Sequence, residues 1–275
     1  MPPEKLTQLI LGLALAVIIA YVAYRARSLS RSGAWAAILV GTVIFGLGGW
    51  RWAILLLTFF ISSSLLSRAF KKRKRGLNEK FSKGSQRDAG QVFGNGGLAT
   101  LFAGLSFFFP GEAWPWLAFA AALAAVNADT WATELGVLSP HPPRMMTNLS
   151  KVVEKGTSGG ISLFGTLAAL AGSGLIGVLA GTLSPQPASP LHGLWLTLWV
   201  TFAGLVGSLV DSFLGATVQA IYDCPTCEKE TERHPLHTCG TQTTIKRGYD
   251  WFDNDWVNFA CGLGGVLVVL LASFV

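Results

Sequence analysis

The chain has 275 residues, 51% of them hydrophobic and 13% charged, about half the charged share of a soluble domain. That balance excludes an ordinary water-soluble globular protein. Repeated stretches with almost no charge approach the roughly 20 residues needed to cross a bilayer, so the expected fold class is all-α, a polytopic membrane helix bundle. The net charge is +6, and its placement is more informative than its size.

In chain order, the first apolar run, 6–24, has few positive charges before it and no small-residue cleavage pattern after it. It reads as a retained helix rather than a signal peptide. Further apolar segments follow at 34–50, 52–67, 97–109, 115–135, 159–182, 193–213 and 256–274, with Trp50-Arg51-Trp52 read as a turn between the second and third. The connectors 25–33, 68–92, 139–158 and 219–255 hold 19 of the 21 lysines and arginines; the rest of the chain holds only Lys5 and Arg51. The positive-inside rule then predicts about eight transmembrane helices, both termini outside and the basic connectors in the cytoplasm. The block Lys71-Lys-Arg-Lys-Arg75 reads as a topology signal and a lipid-headgroup contact rather than a nucleic-acid site. The outer turns 110–116 and 184–190 are short, Pro-rich and nearly uncharged, which assigns them structural work. The glycines of the sixth segment predict close helix packing. One membrane domain, 1–275, is expected, with a cytoplasmic loop insertion at 219–255. The lack of a transit-like leader points to a prokaryotic cell membrane.

The unusual polar residues fall on the predicted cytoplasmic side. Asn127, Thr130 and Glu134 share a face of the fifth segment, and Asp129 and Thr133 make a neighbouring stripe. A carboxylate near the bilayer costs at least ~2.5 kcal/mol unless compensated, which implies a cation, a buried base or water as partner. The bland alternative is hydrogen-bond glue between helices. The seventh segment puts Ser208, Asp211, Ser212 and Gly215 on one face, with Gln219 continuing it. The eighth opens with Asp253, Asn254, Asp255 and Asn258, where Asp253 or Asn254 also suits a plain helix N-cap. Two glycine-rich stretches read as helix starts that cradle phosphate. One runs from Arg87 through Asn95, Gly96 and Gly97; the other is Lys155-Gly156-Thr157-Ser158-Gly159-Gly160, with Lys151 adding charge. Oxygen ligands of this kind suit Mg²⁺, which usually binds through one or two carboxylates plus substrate phosphates.

Cys224-Pro-Thr-Cys227 is followed by His234, His237 and Cys239. This spacing satisfies a Cys₃His structural zinc site in a small knuckle loop, with either histidine as fourth ligand and free thiols as the alternative reading. Cys261 lies in an apolar segment and reads as packing.

Asn127-Ala-Asp-Thr-Trp-Ala-Thr-Glu-Leu-Gly136, Pro143-Arg144 through Lys151, Lys155–Gly160, Gly207-Ser-Leu-Val-Asp-Ser-Phe-Leu-Gly-Ala-Thr217 and Asn254-Asp-Trp-Val-Asn258 together resemble the phytyl-phosphate kinase and transmembrane protein nineteen family. The resemblance spans residue 30 to the end. It implies a membrane kinase that moves a phosphoryl group from CTP or ATP to an isoprenoid monophosphate such as phytyl, geranylgeranyl or farnesyl phosphate. On that basis Asp129 and Asp211, joined by Glu134, are expected to hold Mg²⁺. Lys155 joins the catalytic group. Arg87, Arg144, Lys151 and the polar residues named above are expected to bind nucleotide and lipid phosphate. The expected partners are a nucleoside triphosphate, an isoprenoid phosphate lipid and membrane lipids, with a second copy of the chain as a candidate and no nucleic acid. The rival expectations are a CTP-dependent lipid nucleotidyltransferase and an ion-coupled transporter or lipid flippase.

Overall fold

The structure is a computed structural model and describes residues 3–70, 80, 83, 86–186 and 189–272. The basic block 71–75 lies outside the described residues.

Among the described residues, eight α-helices carry the fold. The first, α1 (Pro3–Arg25), has Glu4 in its first turn and Arg25 in its last, each favourable to the helix dipole. Ser30 caps α2 (Arg31–Val43) by accepting from the Gly33 amide. That helix runs into a π turn, Ile44–Gly48, which stops at Gly49 with φ of 93°, a conformation open to glycine and strained for other residues. The expected break at Trp50-Arg51-Trp52 is therefore corrected: those residues open α3 (Trp50–Ala69), and the glycines before them make the turn. α4 (Ala89–Phe108) begins before the predicted segment, because Asp88 and Gln91 form a reciprocal capping box. α5 (Trp114–Gly136) starts with proline in its first turn.

The next connector folds into three short strands, β1 (Arg144–Met145), β2 (Asn148–Val152) and β3 (Gly160–Ile161), in the antiparallel order β2-β1-β3. Ser162 then caps α6 (Leu163–Thr182), and Ser189 caps α7 (Pro190–Thr217). A second small sheet, order β5-β4-β6, is built from β4 (Ile221–Cys224), β5 (Lys229–Thr231) and β6 (Thr244–Arg247). α8 (Asn254–Ala272) closes the chain, with Asp253 accepting from the amides of Asp255 and Trp256 as its N-cap.

α5 is the axis. Every residue from Pro115 to Ala128 is buried, with α3, α4, α6, α7 and α8 packed around it. Small residues set the spacing: a Cβ on Gly204 would meet the Ala124 backbone at 2.9 Å, and one on Gly265 would meet the Ala121 carbonyl at 2.9 Å. Trp52, Trp116 and Phe119 pack ring against ring at one end of this core. Among the described residues, six helices (α1, α2 with its π turn, α3, α6, α7 and α8) are long and apolar enough to cross a membrane by length and composition. α4 and α5 fall outside that set, and α5 is the helix that its neighbours enclose.

The connectors sort by end. At one end, Ser30 and Ser28 bond the backbone of Arg87, Arg68 donates to Ala26 and Ser28, and Lys80 reaches Glu154 while its carbonyl accepts from the Glu232 amide. At the other end, Arg51 donates to the Ser184 carbonyl and Gln186 to the Gly111 carbonyl. The four basic connectors thus gather on one face of the bundle, the alternation that the charge pattern predicts.

Candidate functional site

That face holds a cavity of about 560 Å³. Its floor is the polar end of α5: Asp129, Thr130, Thr133 and Glu134. α7 contributes Ser208, Asp211 and Ser212, and α4 contributes Gln91 and Asn95. α8 adds Asn254 and Asn258, and the loop 155–160 forms a rim. Leu205, Leu209 and Ala169, from α7 and α6, make an apolar side.

Asp129 and Asp211 come from different helices and their carboxyls are in hydrogen-bond contact. Asp211 Oδ2 is buried with no hydrogen-bond partner. Two carboxylates this close cannot both stay charged without a positive species between or beside them. Five residues further along α5, Glu134 accepts from Ser67 Oγ at 2.7 Å. Arg87 faces the same region. It donates to Ser64 Oγ at 3.1 Å and lies over the rings of Phe59 (5.7 Å) and Phe60 (5.5 Å). Burial lowers its guanidinium to about 10, and the charge of Glu134 opposes that shift.

The cavity brings together Asp129, Asp211, Glu134, Lys155, Arg87, Asn95, Thr130, Gly156, Thr157, Ser158, Gly159, Ser212, Asn254 and Asn258. Other expected residues lie away from its lining. Asn127 is fully buried behind it, donating to the Gly172 carbonyl at 2.8 Å and accepting from Ser62 at 3.2 Å. It is the interhelical glue of the bland alternative. Arg144 and Lys151 stand exposed on the β1–β2 hairpin, with Arg144 donating to the Leu149 carbonyl. Asp255 is outside the lining and pairs with Lys83, which does line the cavity; the Lys83 amine also reaches Asp88 at 3.0 Å. Burial lowers the Lys83 amine, but its hydrogen bonds to Asp255 and Asp88 outweigh that and raise it above its ordinary 10.5.

Both expected phosphate cradles need correction. Gly96 and Gly97 lie inside α4, where their amides serve the helix ladder. Gly96 packs on Val40, and Gly94 lies against the Asp255 backbone. The stretch 155–160 is a loop leading into β3, and α6 starts only at Leu163. Gly156 and Gly159 have φ of 79° and 81°. A Cβ on Gly159 would lie 2.5 Å from the Ala216 backbone, so the loop is pressed onto the end of α7. Lys155 donates to the carbonyls of Val137 (3.1 Å) and Ser139 (2.6 Å). It caps the C-terminal end of α5, where a cation suits the helix dipole, and one N–H remains for a ligand.

Several lining residues carried no expectation from the sequence: Ser67, Lys83, Gln91, Glu232 and Arg233. The serine run Ser62-Ser63-Ser64 with Ser67, within an apolar helix, was the available signal for the first of these.

Cys224, Cys227, His237 and Cys239 lie together in the second sheet, each offering one ligand atom within 4.8 Å of the others. Cys224 Sγ is 3.5 Å from Cys239 Sγ, and His237 Nδ1 is 3.3 Å from that same sulfur. His234 instead stacks on Tyr222 with ring centroids 4.5 Å apart, which resolves the choice of histidine. Contacts with Thr241 first and His237 second draw the Cys239 thiol down to about 5, while the contact with Cys239 pushes Cys227 up to about 11. Three sulfurs and one imidazole nitrogen at this spacing can hold a metal ion.

Residues 14–266 match a family model described as Integral membrane protein DUF92. The chain is 35% identical to Protein PGR of Arabidopsis thaliana, over 97% of this chain and 94% of that protein. It is 34% identical to an uncharacterized membrane protein of Methanocaldococcus jannaschii, over 78% of this chain and 84% of that one. To Protein VTE6, chloroplastic, of Arabidopsis thaliana, the identity is 25% over 90% of this chain and 66% of that protein. No solved structure matches.

Proposed function

This chain belongs to the DUF92 family of integral membrane proteins, and from that premise we propose that it is an isoprenoid-phosphate kinase. It transfers a phosphoryl group from CTP or ATP to a lipid monophosphate such as phytyl, geranylgeranyl or farnesyl phosphate. The observation that carries the reading is the meeting of Asp129 and Asp211 in a cavity that also holds Arg87 and has an apolar side at Leu205 and Leu209. The motif resemblance to phytyl-phosphate kinases supports the same chemistry.

In this reading the lipid tail leaves along α6 and α7, past Ala169, Leu205 and Leu209. Its phosphate lies near Arg87, whose aromatic backing by Phe59 and Phe60 fixes the guanidinium. The contact of two carboxylates and the partnerless Asp211 Oδ2 suit a hard cation, so Asp129 and Asp211 are the residues that would hold Mg²⁺. When bound, that ion supplies charge neutralisation for the transferred phosphoryl group. The acceptor phosphate is already ionised at neutral pH, so the protein needs mainly to position two anions in line and exclude water. Thr130, Ser212, Asn254 and Asn258 supply the remaining hydrogen bonds. The excess of basic connectors at this end supports a cytoplasmic site with both termini outside, and the Cys₃His cluster is read as a structural zinc site.

The test is direct. The purified protein is given a prenyl monophosphate, Mg²⁺ and labelled CTP or ATP, and the lipid products are separated. A prenyl diphosphate together with CDP or ADP is the expected result. Asp129→Asn and Asp211→Asn should each lower turnover about 100-fold or more, the scale of a lost metal ligand or its support. Pyrophosphate release would instead identify a nucleotidyltransferase. No turnover in a folded sample with any of these lipids and nucleotides would reject the reading.

A further inference from the structure

The loop that carries the Cys/His cluster also forms one wall of the cavity, and the two roles meet at Glu232. β5 ends at Thr231, and the next two residues, Glu232 and Arg233, line the cavity. Glu232 Oε1 accepts from Ser158 Oγ at 2.8 Å and from Gln219 Nε2 at 3.0 Å. Arg247, the last residue of β6, donates to the Ser158 carbonyl at 3.1 Å and to the Ala216 carbonyl at 2.5 Å. The glycine loop 155–160 is therefore gripped at Ser158 by a carboxylate and a guanidinium, both anchored in the same small sheet.

That sheet has strands of only 4, 3 and 4 residues. An insertion of this size has little apolar area with which to hold itself together, and small domains of this kind draw their folding energy from a bound metal. The four ligands are well placed for it. Cys224 ends β4, Cys227 lies in the β4–β5 turn, and His237 and Cys239 lie in the β5–β6 connection. One ion would tie every connection of the sheet that presents Glu232 and Arg247.

We propose that the Cys₃His cluster is a metal-dependent latch on the cavity, and that Glu232 is the positioning residue through which a bound divalent cation of the zinc class fixes the 155–160 loop. The proposal rests on the zinc reading of the cluster and is independent of the kinase reading, since nothing in it depends on turnover. It extends the role of the insertion from a self-contained knuckle to part of the cavity's architecture.

Hydrogen–deuterium exchange on the full chain in lipid nanodiscs tests it. The reporters are the amides of Thr157, bonded to the Glu154 carbonyl at 3.2 Å, and Gly160, bonded to the Thr157 carbonyl at 2.9 Å. Stripping zinc from the wild-type protein with a chelator should speed exchange at both by about tenfold or more, the scale of a lost charge-assisted hydrogen bond. The α5 amides should stay unchanged, and added zinc should restore protection. Glu232→Ala should show the same acceleration while keeping its full zinc content. Glu232→Gln keeps an acceptor oxygen for Ser158 but loses its charge, and should exchange at a rate between wild type and Glu232→Ala. Cys227→Ser should lose zinc and exchange fast with no rescue by added zinc. Unchanged exchange at Thr157 and Gly160 on stripping, continued protection in Glu232→Ala, or a wild-type protein that binds no zinc would each overturn the latch. The stripping arm uses the wild-type chain, so a variant that fails to fold leaves the test standing.

Discussion

At the residue scale, the same chemistry separates two kinds of polar group on α5. Asn127 and Asp129 are two positions apart, yet Asn127 spends its donor and acceptor on Gly172 and Ser62, while Asp129 faces Asp211 in the cavity. Asn127→Ala should therefore cost about 1–2 kcal/mol of stability, the range for a buried interhelical bond. In a thermal-shift measurement it should lower Tm, and if the proposed kinase reading holds, the nucleotide and lipid KM values should stay unchanged. The carboxylates were legible in the sequence because a charge on an apolar helix is expensive to leave without a partner. Glu232 was not, because a glutamate in a polar loop is ordinary until the fold brings it against Ser158. Glycine was the weakest guide of all. Gly96 and Gly159 look alike in sequence, but one fills a helix interior beside Val40 and the other adopts φ of 81° against Ala216.

At the scale of elements, the cavity depends on how helix ends are held. Lys83 ties the N-cap of α4, Asp88, to the first turn of α8, at Asp255. Its raised pKa means that the ion pairs stabilise the fold fully below the ordinary value of 10.5 and lose that contribution as pH rises through the folded value. Lys83→Met should destabilise the protein at neutral pH by about 2 kcal/mol, the range for bonds to a charged group. Unfolding curves of variant and wild type should converge as the pH climbs above 10.5. Gly159→Ala tests the seat of the 155–160 loop. Its Cβ meets the Ala216 backbone in a conformation already unfavourable to alanine, so the loop should shift, and turnover in the proposed prenyl-phosphate kinase assay should fall at least tenfold in a protein that still folds. The eight apolar runs were readable because run length and charge alternation are properties of the chain alone. Helix starts were misjudged at α4 and α6, where side-chain caps at Asp88 and Ser162 decide the boundary rather than hydrophobicity.

At the scale of the whole molecule, the alternation of loops between two ends is the feature that gives the site a side. A cysteine placed at Ser189, the cap of α7, should react with an impermeant thiol reagent added from outside the cell. Reaction only after the membrane is opened would reverse the orientation. Each helix that meets lipid was legible as an apolar run, while the two small sheets were not, since strands of 2 to 5 residues in polar connectors leave no periodic signal.

The burial of α5 has a consequence for how the protein is made. An alanine-rich helix that other helices surround on all sides gains little by entering lipid alone, and neither α5 nor α4 reaches the apolarity of the six outer spans. During synthesis α5 should therefore stay at the insertion machinery until α6 and α7, which pack against it, have emerged. In a nascent chain halted shortly after Gly136, a cysteine placed in the middle of α5 should react with a water-soluble thiol reagent, and in one halted after Thr217 it should be protected.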